Sequence, residues 1–146
     1  DPNRIHISAH SAGGHLTAMM LSTDWAQRGA ADIKLAGGIA ISGIFDLVPL
    51  LETSINDGVQ LDREAARRNS PTEFLPSNGP PLISAVGAGE TDEFQRQSRE
   101  YAAVWNESGG RAQYLALEGF HHFDVVLELG CSGSELNDAV LAQIGV

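Results

Sequence analysis

The stretch that decides the fold is Arg4-Ile-His-Ile-Ser-Ala9, followed directly by His10-Ser-Ala-Gly-Gly14. The alternating isoleucines predict a half-buried β-strand over residues 4–9, and the small residues after it end that strand. The residues that follow favour a helix whose apolar face we expect to carry Leu16, Met19 and Met20. A strand, a sharp turn and a helix therefore form the first unit of the chain.

Three further apolar runs continue this alternation of strands and helices. The predicted strands cover residues 35–42, 82–87 and 113–117, and the predicted helices cover residues 47–52, 62–68, 93–106 and 134–144. Near-continuous apolar strands are typical of a parallel sheet covered on both faces, and alternating strands and helices are typical of βαβ units. The sequence therefore predicts an α/β fold, with a parallel sheet of about four strands and flanking helices.

The composition and net charge limit the kinds of molecule that we expect this protein to bind. The 146 residues are 42% hydrophobic and carry a formal net charge of −10, so we expect a globular protein that binds neither nucleic acid nor an anionic membrane. The single cysteine, Cys131, excludes an internal disulfide and a multi-cysteine metal site. We expect a cytoplasmic protein with a small-molecule substrate and without cofactor or metal. A homodimer stays an open alternative to a monomer.

The start of the chain suggests a segment of a longer protein. Residue 1 is Asp rather than Met, so we expect the chain to begin either after processing or within a longer gene product. The first strand has no upstream partner in this chain, so its apolar edge would be exposed if nothing preceded it, and exposed edges promote aggregation. We therefore expect a single partial domain over residues 1–146, whose amino-terminal strands lie upstream.

The motif that carries chemistry is Ala9-His-Ser11-Ala-Gly13, which matches the nucleophile elbow Gly-x-Ser-x-Gly with Ala in place of the first Gly. Small residues two before and two after the serine let strand and helix approach closely. The motif predicts Ser11 as a nucleophile and the Ala12 N–H, at the helix N-terminus, as an oxyanion donor. The alternative is a small-residue turn that is merely capped by a serine.

A serine nucleophile needs a base, and the base needs an orienting acid. In folds with this elbow, the acid and then the histidine follow the serine along the chain. The acid is expected after the third strand, where Glu90, Asp92 and Glu93 are candidates. The histidine is expected after the fourth strand, where the candidates are His121 and His122.

Four other polar residues could belong to such a site. His10 flanks the nucleophile and either lines the substrate pocket or packs there, and both alternatives stay open. His6 lies within a predicted strand and His15 in the first helical turn, so both are expected to be structural. Asp46 either borders an acyl pocket or caps the turn after the second strand, and the cap is favoured. No histidine pair with further ligands has metal-binding spacing.

Five blocks together resemble the kynurenine formamidase (arylformamidase) branch of the α/β-hydrolases, which is close to the carboxylesterases. They are His10-Ser-Ala-Gly-Gly-His15, Ser42-Gly-Ile-Phe-Asp46-Leu, Ser70-Pro71, Glu90-Thr-Asp-Glu-Phe-Gln-Arg-Gln97-Ser98 and His122-Phe-Asp124. The resemblance runs from residue 1 to about residue 129. It implies the C-terminal half of an α/β-hydrolase fold and hydrolysis of small carboxylic esters or aryl formamides through an acyl-enzyme.

The resemblance also selects among the candidates. The family's acid stands four residues before the Phe of its Phe-x-Arg-Gln-Ser block, which implies Glu90, with Asp92 as the alternative. The family's histidine precedes Phe-Asp, which implies His122. Its other oxyanion donors come from an upstream His-Gly-Gly loop that these residues lack, so we expect the 146-residue segment alone to be weakly active or inactive.

Two other interpretations stay open. A relative that has kept the fold and lost catalysis would bind a small molecule without converting it, and an inactive fragment of a longer hydrolase would do neither. The sequence does not separate an ester from a formamide substrate.

Overall fold

A computed structural model describes residues 1–146. Its sheet has four parallel strands in the order β1-β2-β3-β4. The strands are β1 (Ile5–His10), β2 (Leu35–Ile41), β3 (Leu82–Gly87) and β4 (Ala112–Leu117). This architecture confirms the predicted parallel α/β fold, and each strand lies within about one residue of its predicted bounds.

Five α-helices and three short 3₁₀ helices surround the sheet. The α-helices are α1 (Ala12–Ser22), α2 (Ile55–Val59), α3 (Arg63–Arg68), α4 (Asp92–Glu107) and α5 (Glu135–Ile144). The 3₁₀ helices are Val48–Glu52, Pro71–Glu73 and Val125–Gly130. The predicted helix at 47–52 is thus a 3₁₀ helix, Val48–Glu52, with Pro49 in its first turn. Helix α2 was not predicted.

Each face of the sheet has its own apolar core, because alternate residues of a strand point to opposite faces. One core lies beneath α5 and the last 3₁₀ helix and contains Ile39, Ile41, Ile83, Ala85, Leu115, Leu117, Val125 and Leu136. The other lies beneath α1 and α4 and contains Ala18, Leu21, Ala40, Phe45, Leu82, Tyr101 and Trp105. The sheet is therefore covered on both faces, as its near-continuous apolar strands predict.

The predicted apolar face of α1 is wrong. Leu16 is 57% exposed, and Met19 and Met20 are only half-buried. The buried residues of α1 are Gly14, Thr17, Ala18 and Leu21. The physical reason is close backbone packing, since a Cβ on Gly14 would lie 2.8 Å from the Gly43 Cα. Small side chains bring α1 onto the sheet beside the buried Leu21, and Leu16, Met19 and Met20 are left towards its outer side.

The parallel direction of the strands collects the segments that follow them at one edge of the sheet, where ligands of open α/β sheets bind. Ser11 follows β1, Ser42 follows β2, Glu90 follows β3 and His122 follows β4. No helix of the chain combines the length and the hydropathy that crossing a membrane requires.

Candidate active site

Ser11 forms a sharp turn between β1 and α1. Its backbone has φ 58° and ψ −121°, a conformation that non-glycine residues rarely adopt. Its N–H donates to the Ile41 carbonyl at 2.9 Å, which fixes the turn to the neighbouring strand. Ser11 occupies the N-cap position of α1, yet its side chain makes no capping hydrogen bond. The hydroxyl is therefore available to the site, and the capping alternative does not describe this serine.

The small residues around Ser11 are required by contact. A Cβ on Gly13 would lie 2.7 Å from the Ala9 Cβ, closer than real Cβ atoms approach one another. Ala at position 9 is therefore tolerated only because position 13 is Gly. This pair lets α1 start directly above the end of β1, so that the helix N-terminus and the Ala12 N–H lie beside the serine. The first N–H groups of a helix have no intrahelical acceptor and can bind an oxyanion.

His122 connects Ser11 to Glu90. Its Nε2 lies 3.0 Å from the Ser11 Oγ, and its Nδ1 lies 2.7 Å from the Glu90 Oε2. With the proton on Nδ1, the ring donates to Glu90 and accepts from the Ser11 hydroxyl. This serine–imidazole–carboxylate order is the arrangement that nucleophilic catalysis by a serine requires. The three groups come from the ends of β1, β3 and β4 and are far apart in sequence.

Glu90 is the candidate acid that contacts His122. Its side chain is 1% exposed. Its second oxygen, Oε1, accepts hydrogen bonds from the Ser42 hydroxyl and from the Gly87 N–H, the latter at 2.9 Å. All three contacts hold the carboxylate in one orientation. Glu90 is thus buried and surrounded by donors.

The other two carboxylates lie elsewhere. Asp92 is exposed in the first turn of α4. Glu93 accepts hydrogen bonds from Arg96 at 2.7 and 2.8 Å and from Gln97 at 2.8 Å, and its pairing with Arg96 lowers the pKa of Glu93.

His121 contacts Gly89, whereas His122 is the histidine within hydrogen-bond distance of Ser11. His121 is exposed, and its Nδ1 lies 2.7 Å from the Gly89 carbonyl oxygen. A Cβ on Gly89 would clash with the His121 ring in its present position, so the two residues are closely packed. His121 therefore joins the loop after β4 to the loop that carries Glu90. This contact keeps the two loops, and with them His122 and Glu90, next to each other.

His10 packs against His122. The two ring centroids are 4.5 Å apart, with the planes tilted by 46°. Burial, followed by the proximity of His122, lowers the pKa of His10. The His10 Nε2 is buried and has no hydrogen-bond partner. His10 therefore belongs to the immediate surroundings of His122, whichever of its two predicted roles applies.

An apolar cavity of about 180 Å³ lies between the segment after β2 and the start of α4, where Phe94, and none of the three hydrogen-bonded residues, lines it. Ile44, Pro49, Leu50 and Ile55 form one wall, and the start of α4, with Phe94, forms the other. The Phe94 ring centroid lies 4.7 Å from that of His122. Phe94 thus separates the cavity from the imidazole by one ring. Phe123, 86% exposed, contacts His122 edge-on from another side, with centroids 5.3 Å apart.

Three residues of the site have roles that the sequence did not indicate. In the sequence, Phe94 served only to locate the acid within the block that begins at Glu90. Its helical spacing gives no sign of a contact with His122. Phe123 likewise only followed His122. Ser42 contacts Glu90 across 48 residues of sequence, for which no local pattern exists.

The remaining candidates are structural. The Asp46 Oδ1 accepts a hydrogen bond from the Val48 N–H at 2.9 Å, so Asp46 caps the 3₁₀ helix after β2, as favoured. The His15 Nε2 lies 2.7 Å from the Asn69 carbonyl oxygen and ties α1 to the segment after α3. His6 lies in β1 with its Nδ1 buried and without a hydrogen-bond partner.

The sequence is similar to kynurenine formamidases. That of Danio rerio is 34% identical over 146 residues, which are 97% of this chain and 50% of that protein. That of Salmo salar is 32% identical with the same coverage, and that of Drosophila melanogaster is 28% identical over 90% of this chain and 46% of that protein. The chain thus spans about half the length of each of these relatives. No protein-family model matches it.

Solved structures of esterases have the same fold. A protein from Silicibacter sp. tm1040, provisionally described as a thioesterase, aligns with TM-score 0.75 and 30% identity over 95% of this chain and 49% of that one. Esterase 2 of Thermogutta terrifontis aligns with TM-score 0.68 and 19% identity over 99% of this chain and 56% of that one. The latter likeness concerns the fold alone.

Proposed function

From the premise that the chain has the α/β-hydrolase fold and is a relative of the kynurenine formamidases, we propose that it carries the nucleophile, base and acid of a serine hydrolase acting on small carboxylic esters or aryl formamides. The observation that carries this proposal is the hydrogen-bonded row in which the Ser11 Oγ lies 3.0 Å from the His122 Nε2 and the His122 Nδ1 lies 2.7 Å from Glu90.

In the proposed reaction, the Ser11 Oγ attacks the substrate carbonyl carbon while His122 takes the hydroxyl proton. The C–O or C–N bond to the leaving group then breaks, and His122 returns that proton to the departing alcohol or amine. Water, activated by the same imidazole, hydrolyses the acyl-enzyme. Glu90 holds the ring with its proton on Nδ1 and stabilises the imidazolium.

The Ala12 N–H is the oxyanion donor proposed within these residues. Removing one donor from an oxyanion hole costs about 10²–10³-fold in kcat. If the Ala12 N–H is the only oxyanion donor available to the 146-residue chain, its kcat should be lower than that of the complete gene product. Measuring kcat of both proteins tests this. Equal values would show that the donors within the chain suffice.

We further propose that the apolar cavity beside Phe94 receives one substituent of the carbonyl group. Its volume of about 180 Å³ is comparable to that of an engineered apolar cavity of about 150 Å³ that binds benzene. A single aromatic ring or a short alkyl chain would therefore fill it. Phe94→Ala enlarges the cavity, so the variant should gain relative kcat/KM for longer acyl or larger aryl groups in a series of p-nitrophenyl esters and aryl formamides.

Covalent labelling of the complete gene product tests the proposed chemistry. A fluorophosphonate should label the wild-type protein at Ser11, and Ser11→Ala should prevent labelling. Glu90→Gln and His122→Ala should slow labelling strongly. Asp92→Asn is the matched control, because it neutralises a neighbouring carboxylate that does not contact His122, and its labelling rate should match that of the wild type.

Turnover of N-formylkynurenine beside p-nitrophenyl acetate then separates the two substrate classes. A correctly folded wild-type protein that is neither labelled nor active on either compound would overturn the proposal. If such a protein still bound a small ligand, and Ser11→Ala left the binding unchanged, the interpretation as a non-catalytic binding protein would replace it.

A further inference from the structure

Ser42 directly follows β2 and is fully buried beneath the site. Its N–H donates to the Ala85 carbonyl oxygen at 2.7 Å, which fixes its backbone to β3. Its hydroxyl donates to the Glu90 Oε1. Ser42 thus links the end of β2 to the carboxylate that contacts His122.

The two oxygens of Glu90 have separate partners. Oε2 faces the His122 Nδ1 at 2.7 Å, whereas Oε1 receives the Ser42 hydroxyl and the Gly87 N–H. A carboxylate on a long side chain rotates about its terminal bond unless both oxygens are held. The Gly87 N–H fixes the position of Oε1 from one side only. The second donor, from Ser42, determines the plane of the carboxylate and therefore the direction of Oε2.

The backbone of Ser42 supports a role for its hydroxyl. Its φ is 48°, in the left-handed region where glycine is favoured over residues with a Cβ. A glycine would fit the turn without this strain, but it would leave the Glu90 Oε1 with one donor fewer. Strained residues are often found where the side chain takes part in function.

We propose that Ser42 is a positioning residue of the active site, which acts through Glu90 by keeping the carboxylate oxygen Oε2 aimed at the imidazole of His122. The proposal rests on the serine hydrolase function proposed above. Ser42 touches neither Ser11 nor the substrate carbonyl, and its effect is transmitted by hydrogen bonds through Glu90 and His122.

Two substitutions separate the hydroxyl from the backbone strain. Ser42→Ala removes the hydroxyl and keeps the strain, whereas Ser42→Gly removes both. In the complete gene product, both variants should lower kcat about tenfold to hundredfold, the range of a lost hydrogen bond to a charged group, with KM changed less than about threefold. Their stabilities should differ, with Ser42→Gly the more stable of the two.

Ser84→Ala is the matched control. Ser84 is also fully buried, and its hydroxyl donates to the Ser98 carbonyl oxygen at 2.9 Å, away from Glu90. This variant should lose stability without losing kcat. A decrease in kcat that follows stability across all three variants would indicate a purely structural role and would overturn the proposal.

A double-mutant cycle with Glu90 completes the test. The rate of fluorophosphonate labelling is measured for the wild type, Ser42→Ala, Glu90→Gln and the double variant. If Ser42 acts through the Glu90 carboxylate, Ser42→Ala should slow labelling in the wild-type background and leave the Glu90→Gln rate unchanged. Equal slowing in both backgrounds, or none in either, would overturn the role of Ser42 while the proposed function stands. A wild-type protein that is not labelled at all would refute both.

Discussion

Gly13 lies directly against Ala9: an ideal Cβ on Gly13 would come within 2.7 Å of the Ala9 Cβ. The strand that precedes Ser11 and the helix that follows it therefore touch through two of the smallest side chains available. This contact sets the sharpness of the turn that presents the Ser11 hydroxyl to His122.

Gly13→Ala should destabilise the protein by about 1–3 kcal/mol, the usual cost of overpacking. The substitution Ala9→Gly, added to it, should recover part of that loss by removing the opposing methyl group. Urea unfolding of the two variants measures both effects. Gly58→Ala in α2 is the control, since no atom lies within 4 Å of its added Cβ and its stability should be unchanged or raised. A Gly13→Ala variant as stable as the wild type would contradict the contact.

Ser11→Gly should be more stable than Ser11→Ala by about 1–3 kcal/mol, because glycine adopts the φ of 58° without the strain that a Cβ brings. Thermal or urea unfolding of the two variants measures this difference, and neither variant should be labelled by a fluorophosphonate. Equal stabilities would mean that the turn stores no strain at Ser11.

Gln97 in α4 holds the segment after β2. Its Oε1 accepts from the Phe45 and Asp46 N–H groups at 2.7 and 2.9 Å, and its Nε2 donates to the Asp46 carbonyl oxygen at 3.0 Å. Gln97→Leu should cost about 2–5 kcal/mol of unfolding free energy, because each buried polar group left unsatisfied costs about 1–3 kcal/mol. Gln113→Leu, at an exposed position of β4, should cost far less. Similar losses for the two variants in urea unfolding would refute this account.

The neutral form of His10 should contribute a pH dependence to stability. Its burial and the charge of His122 lower its pKa below the ordinary value of about 6.5, and a hydrogen bond to the His122 backbone and the charge of Glu90 oppose this only in part. The unfolded chain then binds a proton more readily than the folded one, so stability is lost as the pH falls from about 6.5 toward the folded pKa.

His10→Asn removes this contribution. As the pH falls from about 7.5 to about 5, the wild type should therefore lose more unfolding free energy than the variant does. Gln113→Asn, at an exposed position without an ionisable side chain, is the control, and its curve should run parallel to that of the wild type. Parallel curves for His10→Asn and the wild type would show that His10 takes up its proton as easily in the folded state as in the unfolded one.

The strands, most helices and the turn at Ser11 could be predicted from the sequence, because each depends on residues within one local window. The alternating isoleucines and the apolar runs are sufficient to predict the strands and helices, and the small residues are sufficient to predict the turn. The buried face of α1 could not be predicted in the same way. Its helical period is clear, but the close approach of Gly14 to Gly43 turns the face with Gly14, Ala18 and Leu21 to the core instead of the face with the larger residues at 16, 19 and 20.

The choice of the acid likewise depends on the tertiary structure rather than on the local sequence. From the residues alone, Glu90, Asp92 and Glu93 were all candidates, because they share one loop and one chemistry, and only the family resemblance selected Glu90. In the structure, Glu90 is the carboxylate that turns inward to His122, while Asp92 faces solvent and Glu93 pairs with Arg96.

By itself, the sequence determined the parallel α/β fold and the position of a serine at a sharp turn, since both follow from local periodicity and side-chain size. The tertiary structure decided which distant groups meet that serine. Ser42, Glu90 and His122 come together because three parallel strands end at one edge of the sheet, and hydrogen bonds between such ends depend on strand order and register. No local stretch of sequence encodes those distances.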